Sequence, residues 1–394
     1  MADVLTLFDE SVLQKGFYVP RFEVVVDKSG LPSDVVRDVR QITYKDNVKE
    51  IDNFEIVVNN WDAGARAYKY IGSESADSDD PEAAIRWRLF EPCTREVEIR
   101  FGYQDELVTM TKAFFTTMAP SFHAAEPTLN VRGLNVLHQL RRKQYSTSWQ
   151  NLTDTAIVKN LATLPDPKTG QRRFPLPIRT NPGEEQPRPF VAQQNQYDID
   201  FLLSLARRNA YVVRVDQKAN GSRELYFGLS DDPNLRAVEY RLAWGRSLMD
   251  FQPTLTTANQ IRSVTVHGWN RRTKKAIRQK VSLDDRGFTA NKDLKELLLR
   301  CDPREEEVTS EPVATLAEAK QRARAILLDR TREIIKATGA TVGLPNLRAG
   351  VFVHIENVGA RLSGRYFVTE TTHTLGAGGY TTKFAARRED EEAK

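Results

Sequence analysis

The sequence predicts a mainly β protein in which two similar β-barrels flank an α/β middle region. Strand-length runs of β-branched and aromatic residues fill the first part of the chain, and helical periodicity begins only at about residue 129. Segments 95–120 and 349–375 share one pattern, a strand, a glycine-containing turn and a longer threonine-rich strand. A β-unit that recurs at both ends of one chain indicates two similar barrels.

Length and charge fit this division. The chain has 394 residues, and a single core stops growing at roughly 250. We therefore predict a first barrel at 1–128, a middle domain at 129–223 and a second barrel at 224–394. The net charge is only +4 and the mean hydropathy is −0.50. These values favour a folded, soluble protein and give no strong case for a nucleic-acid or membrane surface.

The first barrel is predicted from its strands. They are expected at 22–26, 55–58, 96–101 and 107–118. In the third of these, Val97, Ile99 and Phe101 alternate with charged residues, as in a strand with one buried face. Segment 71–82 is strongly acidic and lacks the oxygen spacing of a calcium loop, so it is expected to be a solvated loop.

The middle domain is predicted to begin with short helices at 134–140 and 154–161. Segment 165–190 then holds seven of the 18 prolines, a density that excludes a helix or a central strand. We expect a long surface loop there, and a proline-motif ligand is the alternative.

A helix at 197–210 is the clearest local pattern of the middle domain. Asp198 can cap the helix, and Phe201, Leu202 and Leu205 form an apolar face. Strands are expected to follow at 211–215 and 224–227. The apolar face predicts that this helix docks on the rest of the protein.

The second barrel is predicted from strands at 261–269, 275–281, 351–355, 364–373 and 380–387. A helix is expected at 316–336, because Thr315 and Glu318 form a capping box ahead of an apolar stripe. The acidic tail REDEEAK is expected to fray.

The residues needed for catalysis do not converge in the sequence. It contains no Gly-x-Ser-x-Gly, His-Glu-x-x-His or P-loop pattern. Carboxylates at 284–285 and 305–307 lie in polar linker sequence, and Cys93 and Cys301 are far apart. Five histidines are scattered and are expected to be ordinary satisfied imidazoles: His123, His138, His267, His354 and His373. We therefore predict no catalytic residues, no cofactor and no metal site.

A basic run follows Trp269 in the sequence. It comprises Arg271, Arg272, Lys274, Lys275, Arg278 and Lys280. An aromatic beside basic residues is compatible with single-stranded nucleic acid, but we favour an exposed edge hairpin, in which lysines also block aggregation. No apolar run is long enough for a membrane span, and the acidic start does not resemble a Sec signal peptide.

Four segments resemble the late control protein D family, the baseplate hubs of contractile phage tails, to which the hub half of VgrG spike proteins is similar. They are QITYKDNVKEIDNFEIVVNNWD (41–62), YDIDFLLSLARRNAYVVRV (197–215), LAWGRSLMDFQPTLTTANQIRSVTVHGWNRRTKKAI (242–277) and GRYFVTETTHTLGAGGYTTKFAARR (364–388). The pattern D-x-x-F-L-x-x-L-A-R of the helix and the H-x-x-x-x-x-G-Y-x-T ending are the most specific. The resemblance follows nearly the whole chain in order.

The resemblance implies two tube-type barrels per subunit and a pseudo-hexameric ring of three subunits. Such a ring would act as a structural adaptor between the hexameric inner tube and the trimeric spike. VgrG chains continue into a needle, whereas this sequence stops just after 380–387, so the spike is expected to be a separate protein. Other baseplate proteins and a lumen cargo or tape measure are further expected partners, with assembly in the bacterial cytoplasm. Two alternatives stay open, a hub-borne cell-wall hydrolase and a nucleic-acid-binding tail protein.

Overall fold

The computed structural model describes most of the chain, in the ranges 3–6, 19–72, 86–103, 106–124, 126–167, 170–217, 221–231, 238–258, 260–285, 296, 300, 304–310 and 312–389. The acidic segment 71–82 lies outside these residues apart from its first two positions, and the acidic tail lies outside them after Glu389. The predictions for these two segments therefore stay predictions.

The N-terminal region is built almost entirely from strands. Its elements are β1 (Asp3–Thr6), β2 (Pro20–Val26), β3 (Ser29–Gly30), α1 (Ser33–Asp38), β4 (Val39–Asn47), β5 (Asn53–Asn59), β6 (Trp61–Asp62), β7 (Ala67–Tyr68), a 3₁₀ turn (Trp87–Phe90), β8 (Glu96–Tyr103), β9 (Glu106–Ser121) and β10 (Thr128–Asn135). The predicted alternation in β8 is confirmed, since Val97, Ile99 and Phe101 are fully buried. Side chains of β4, β5 and β10 complete this core.

The middle region mixes helices with short strands. It contains a 3₁₀ helix (Val136–Arg141), β11 (Gln144–Trp149), α2 (Asp154–Thr163), β12 (Ile178–Asn181), β13 (Val191–Tyr197), α3 (Asp198–Arg208), β14 (Val212–Gln217) and β15 (Arg223–Gly228). The apolar face of α3 packs as predicted, and Phe201 stacks on Trp149 with ring centroids 5.2 Å apart.

The C-terminal region returns to strands. Its elements are β16 (Val238–Ala243), β17 (Leu248–Leu255), β18 (Ile261–Asn270), β19 (Lys275–Ser282), β20 (Arg304–Val308), α4 (Leu316–Thr331), β21 (Ile335–Val342), β22 (Phe352–Glu356), β23 (Gly364–Gly376) and β24 (Gly379–Arg388). Helix α4 packs on β18 and β19, which form a separate small sheet with β20.

The terminal regions repeat one strand arrangement. Among the described strands, the order β2-β8-β9-β10-β5-β4 in the first region matches the order β16-β22-β23-β24-β21-β17 in the second. We call these sets the first unit and the second unit. Strands that occupy the same place in the two sheet orders also occupy the same place along the chain within their own unit. Neighbours are antiparallel in both units, except that β16 and β22 run parallel.

The two units share a continuous sheet. Strand β23 pairs with β22 and β24 inside the second unit, and its C-terminal half also pairs antiparallel with β4 of the first unit. We call the pairing of β23 with β4 the intrachain junction. The predicted repeat of a strand, a turn and a longer strand is found in β8–β9 and β22–β23. The mainly β class is confirmed, whereas the number of closed barrels stays a prediction.

Several predicted helix boundaries are wrong. Helix α4 ends at Thr331 rather than at 336, because Ile335 already pairs in the strand β21. The helix predicted at 134–140 is a 3₁₀ helix that starts at Val136, after β10. The predicted domain boundaries stay a prediction. Asp198 does not cap α3, since Tyr197 holds the N-cap position and the Asp198 carboxylate binds Arg173 instead.

The proline-rich segment is not a simple surface loop. Phe174 and Leu176 are buried in the middle core, and residues Ile178–Asn181 form β12 at the edge of a small sheet. The prolines flank β12, and its own four residues all keep backbone N–H groups that can donate hydrogen bonds. An edge strand can therefore form even though the segment is rich in proline. The carboxylates at 305–307 likewise form the strand β20 and are not linker sequence.

Candidate functional site: the intrachain junction and the free strand edges

The intrachain junction is held by a buried charge pair as well as by backbone bonds. Arg348, in the turn before β22, places its Nε 2.6 Å from a carboxylate oxygen of Asp46 on β4. Its guanidinium also donates to the hydroxyl of Tyr44 at 2.6 Å and to the carbonyl of Met110 at 2.9 Å. One side chain next to the second unit therefore binds two strands of the first unit, β4 and β9.

The Asp46 carboxylate is satisfied from several sides. It accepts hydrogen bonds from the backbone N–H of Ala349 at 3.2 Å and from the hydroxyl of Thr371 on β23. Because every charged and polar partner comes from the second unit, separating the units would leave this carboxylate buried and unpaired. These polar contacts therefore stabilise the junction and also favour one pairing of the two units.

Asp52 is a second buried carboxyl beside the junction. It accepts hydrogen bonds from Asn135 at 2.7 Å and from the backbone of Asn47 at 3.3 Å. Burial raises the pKa of Asp52 well above its ordinary value, and the negative charge of Asp46 raises it further. Asp52 is therefore protonated over a wider pH range in the folded chain than an ordinary carboxyl group.

The H-x-x-x-x-x-G-Y-x-T ending forms one hydrogen-bonded group. The ring of His373 lies 2.9 Å from the hydroxyl of Tyr380 and 3.1 Å from that of Thr382, both at Nδ1. Its Nε2 lies 3.0 Å from the carbonyl of Leu347. A carbonyl only accepts, so Nε2 carries the proton and Nδ1 accepts. Burial lowers the pKa of His373, which keeps the ring neutral.

This group fixes the tip of the β23–β24 hairpin in the first unit. Tyr380 packs edge-on against Phe101 of β8, with ring centroids 5.5 Å apart, and Leu375 joins the same core. The motif that carries the family resemblance is therefore structural, since its side chains dock one unit into the other. His373 is satisfied as predicted, whereas its position between two units could not be read from the sequence.

The middle region is tied to α4 by buried ion pairs. Glu318 on α4 lies 2.9 Å from Arg208, at the end of α3, and 3.7 Å from Arg188, which also pairs with Asp154 on α2 at 2.8 Å. The Gln321 amide of α4 adds a hydrogen bond to the side chain of Asn209. Glu318 is distant from Arg208 in the sequence, so this pairing could not be read from the helix pattern.

The basic run lies on an exposed hairpin. Residues 271–274 form the turn between β18 and β19, and β19 is the edge strand of its sheet, as the edge-hairpin explanation requires. Lys280 lies 2.7 Å from Glu305 and Arg278 lies 3.4 Å from Glu307, so part of the charge is balanced by β20. Two of the six basic side chains in the run are thus paired with carboxylates.

The remaining candidate residues do not converge. His123 is exposed, and His138, His267 and His354 are half-buried in different elements. Within the described ranges, no three residues of the types His, Cys, Asp and Glu are grouped so that they could hold a metal ion. In that same part of the chain, no helix combines the length and the apolar character required to cross a membrane.

Large apolar side chains are exposed at two strand ends. Phe122 follows β9 and is 56% exposed, and Met249 lies in β17 and is 60% exposed. Trp244, directly after β16, is 49% exposed. Apolar side chains beside open strand edges are typical of surfaces that bind other proteins.

The repeated units, the shared sheet and the α/β insert define a class of fold that occurs in phage tail proteins. A tail protein from Neisseria meningitidis MC58 matches with a TM-score of 0.62 at 13% identity, over 94% of this chain and 97% of that one. The 43 kDa tail protein of prophage MuSo2 from Shewanella oneidensis matches with a TM-score of 0.62 at 12% identity, over 94% of this chain and 98% of that one.

A third solved structure is similar over a smaller part of its own length. It is an Escherichia coli component of the type VI secretion system, described as structurally similar to the T4 tail proteins gp27 and gp5. It matches with a TM-score of 0.55 at 14% identity, over 93% of this chain and 77% of that one. At these identities the likeness establishes the fold.

The family follows from the sequence itself. The family model described as the Alg8 N-terminal domain matches residues 21–377, and the chain therefore belongs to that family. The matching model is not one named for late control protein D or VgrG, the names to which the sequence motifs pointed. A comparison with curated protein sequences gives no match.

Proposed function

We propose that the chain is the structural baseplate hub of a contractile phage tail or contractile injection system. Three copies would form a ring that connects the hexameric inner tube to a trimeric spike made by a separate protein. The observation that carries this proposal is the duplication, because three copies of a chain with two like-ordered units present six similar units. A six-fold tube can then dock on a three-fold assembly through near-equivalent contacts.

The buried network of the intrachain junction supports a role in which the two units keep a fixed relation. Arg348, Asp46 and His373 join the units through a buried ion pair and hydrogen bonds. A mechanical adaptor needs this rigidity, because sliding between units would destroy the match to the tube. Other baseplate proteins, and a cargo or tape measure in the lumen, are the further partners of this proposal, with the baseplate of the particle as the location.

The proposal is tested by assembling the chain with its neighbours. Purified chain is mixed with the tube protein and the spike protein of the same particle, and the mass of each complex is measured by light scattering. We expect a complex with three copies of the chain, and electron microscopy should show a ring with six lobes. A chain that stays monomeric in every mixture contradicts the hub role.

We propose a structural and not a catalytic role for this chain. The competing hydrolase function predicts release of soluble fragments from purified peptidoglycan, and the nucleic-acid function predicts DNA binding that weakens steeply with salt. Neutralising Arg271, Arg272, Lys274 and Lys275 would abolish such binding. We expect neither activity, and a positive result in either assay would favour the corresponding alternative.

A further inference from the structure

The two units match at an irregularity as well as in strand order. Strand β4 skips one residue between Val39 and Gln41 where it pairs with β5. Strand β17 skips one residue between Leu248 and Asp250 where it pairs with β21. Register shifts at the same place in corresponding strands allow the two units to be aligned residue by residue.

A second shared irregularity fixes the alignment of β9 with β23. Thr116 and Thr369 are the residues passed over by the pairing of these strands with β10 and β24. The hydroxyl of Thr116 donates to the carbonyl of Arg132 at 3.4 Å, and that of Thr369 donates to the carbonyl of Ala385 at 3.1 Å. Thr117 therefore corresponds to Glu370, and the next residues follow in step.

A backbone bond marks where the neighbouring strand stops in each unit. The N–H of Cys93 donates to the carbonyl of Phe115 at 2.9 Å, and that of Gly350 donates to the carbonyl of Val368 at 2.8 Å. Both donors have a positive φ, 69° and 94°. Beyond this point, β8 no longer covers the edge of β9, and β22 no longer covers that of β23.

The corresponding edges differ in one respect. In the second unit, the uncovered edge of β23 is occupied by β4. In the first unit, the corresponding edge of β9 from Thr117 to Ser121 faces no strand among the described residues, and β17, the counterpart of β4, pairs on one side only, with β21. The chain therefore carries both halves of a second junction, unfilled.

We propose that β9 of one copy pairs antiparallel with β17 of a second copy and so repeats the intrachain junction between subunits. The register of the intrachain junction then carries over. It sets Thr117 opposite Thr256, Met118 opposite Leu255, Ala119 opposite Thr254, Pro120 opposite Pro253, and Ser121 opposite Gln252. The contact is head to tail, and such contacts generate a closed ring when their rotation closes. The inference rests on the proposed function in that it needs more than one copy.

The side chains at the free edges fit a second copy of this protein. Thr371 and His373 are completely buried at the intrachain junction, whereas their counterparts Met118 and Pro120 are only half-buried. A partner strand in this register would cover Met118 and Pro120. Residues 116–121 of β9 carry no charge, which favours a protein edge over a charged polymer.

The prolines account for the difference between the two junctions. Pro120 and Pro253 stand where the intrachain junction has His373 and Tyr44, and a proline cannot donate to a strand ladder. The ladder between copies is therefore interrupted at this pair, and side-chain packing must contribute more of the contact. Prolines on open edges also hinder pairing with unrelated strands before the correct copy arrives.

Disulfide trapping tests the register. In a Cys93→Ser, Cys301→Ser background, Ala119→Cys and Thr254→Cys are introduced into one chain and the protein is oxidised mildly. Directly opposed residues on antiparallel strands have Cα separations of about 4.5–5.5 Å, a range that a disulfide spans. We expect a ladder of linked chains ending at the trimer on non-reducing gels, no ladder with either cysteine alone, and linked dimers when the two single variants are mixed.

Two matched controls define the result. Thr372→Cys with Lys45→Cys is the corresponding pair within the chain, and it should close without linking chains. Ala119→Cys with Met249→Cys is off register by five residues, about 17 Å along a strand. We expect at least about tenfold more linked product from the Thr254 pair than from the Met249 pair, since only the former meets disulfide geometry.

The possible outcomes separate this inference from the hub role. If light scattering shows an assembled ring but the Thr254 pair links no better than the Met249 pair, the proposed junction is wrong and the hub role stands. If the Thr254 pair links chains into open polymers without a closed trimer, the junction is supported and the ring is contradicted. If the chain stays monomeric and unlinked, both are contradicted.

Discussion

Replacing Arg348 with methionine should destabilise the intrachain junction more than any comparable change on the surface. The substitution keeps most of the side-chain volume but removes the partner of Asp46, whose side chain is only 6% exposed. Removing one member of a buried ion pair costs about 3–5 kcal/mol, because the other charge stays buried without compensation. Since the Arg348 side chain is itself 23% exposed, water can reach part of the site, and we expect about 3 kcal/mol.

The exposed pair of Arg132 with Glu55 provides the control. It also joins neighbouring strands, at 2.8 Å, but its side chains are 57% and 33% exposed. Replacing Arg132 with methionine should therefore cost less than about 1 kcal/mol. Urea unfolding gives the overall change, and amide hydrogen exchange along β4 and β23 shows whether the loss is local to the junction.

A double variant sharpens the test. Adding Asp46→Asn to Arg348→Met removes the buried unpaired charge, so the double variant should recover part of the stability lost by Arg348→Met alone. The reasoning is refuted if Arg348→Met costs no more than Arg132→Met, or if the double variant is less stable than the Arg348 variant. Either outcome would mean that the charge network does not hold the junction.

Three further changes test other parts of the fold. Because the pKa of Asp52 is raised in the folded chain, its contribution to the free energy of unfolding is complete below the ordinary carboxyl pKa and is lost as pH rises through the raised value. Asp52→Asn should therefore flatten the decrease of the urea midpoint with rising pH. An unchanged slope of the midpoint against pH would contradict this. Gly133→Ala should cost about 1–3 kcal/mol, because the added Cβ would come within 2.2 Å of an aromatic ring, whereas Gly378→Ala meets nothing and should be nearly neutral. Phe174→Ala in the proline-rich segment should cost about 3–5 kcal/mol, and equal costs for Phe174→Ala and for Phe190→Ala, whose ring is 57% exposed, would restore the surface-loop prediction.

Local patterns predict many of the strands, although not β4, β10, β17 or β21, and they fail where tertiary contacts decide. The alternation in β8 and the cap at Thr315 depend on neighbours in sequence, and both are found as predicted. The sequence does not predict the end of α4, because Ile334 and Ile335 extend its apolar stripe. In the fold, Ile335 pairs with Leu255 of β17. The role of Asp198 was missed for the same reason, since its partner Arg173 lies on the proline-rich segment.

The candidate site was the least predictable part of the protein. Arg348 and Asp46 are separated by 302 positions, and neither belongs to a pattern that indicates a charge pair. The repeated β-unit was visible in the sequence, but its strand order and its open edges appear only once the pairing is known. A signal did exist in the C-terminal motif, whose His373, Tyr380 and Thr382 prove to be bonded to one another.

The two junctions differ in a way that orders assembly. The one within the chain encloses charged and hydrogen-bonded side chains such as Arg348 and His373, which are costly to bury unless every partner is present, so it must form as the chain folds. The proposed one between chains carries Met118, Pro120 and Pro253, which need no partner for charge and tolerate exposure in the single subunit. Such a chain can fold alone with the buried charges of the intrachain junction paired. It would form the junction between copies only when another folded copy arrives. Under the proposed pairing, the same duplicated edge would serve folding in one place and assembly in the other.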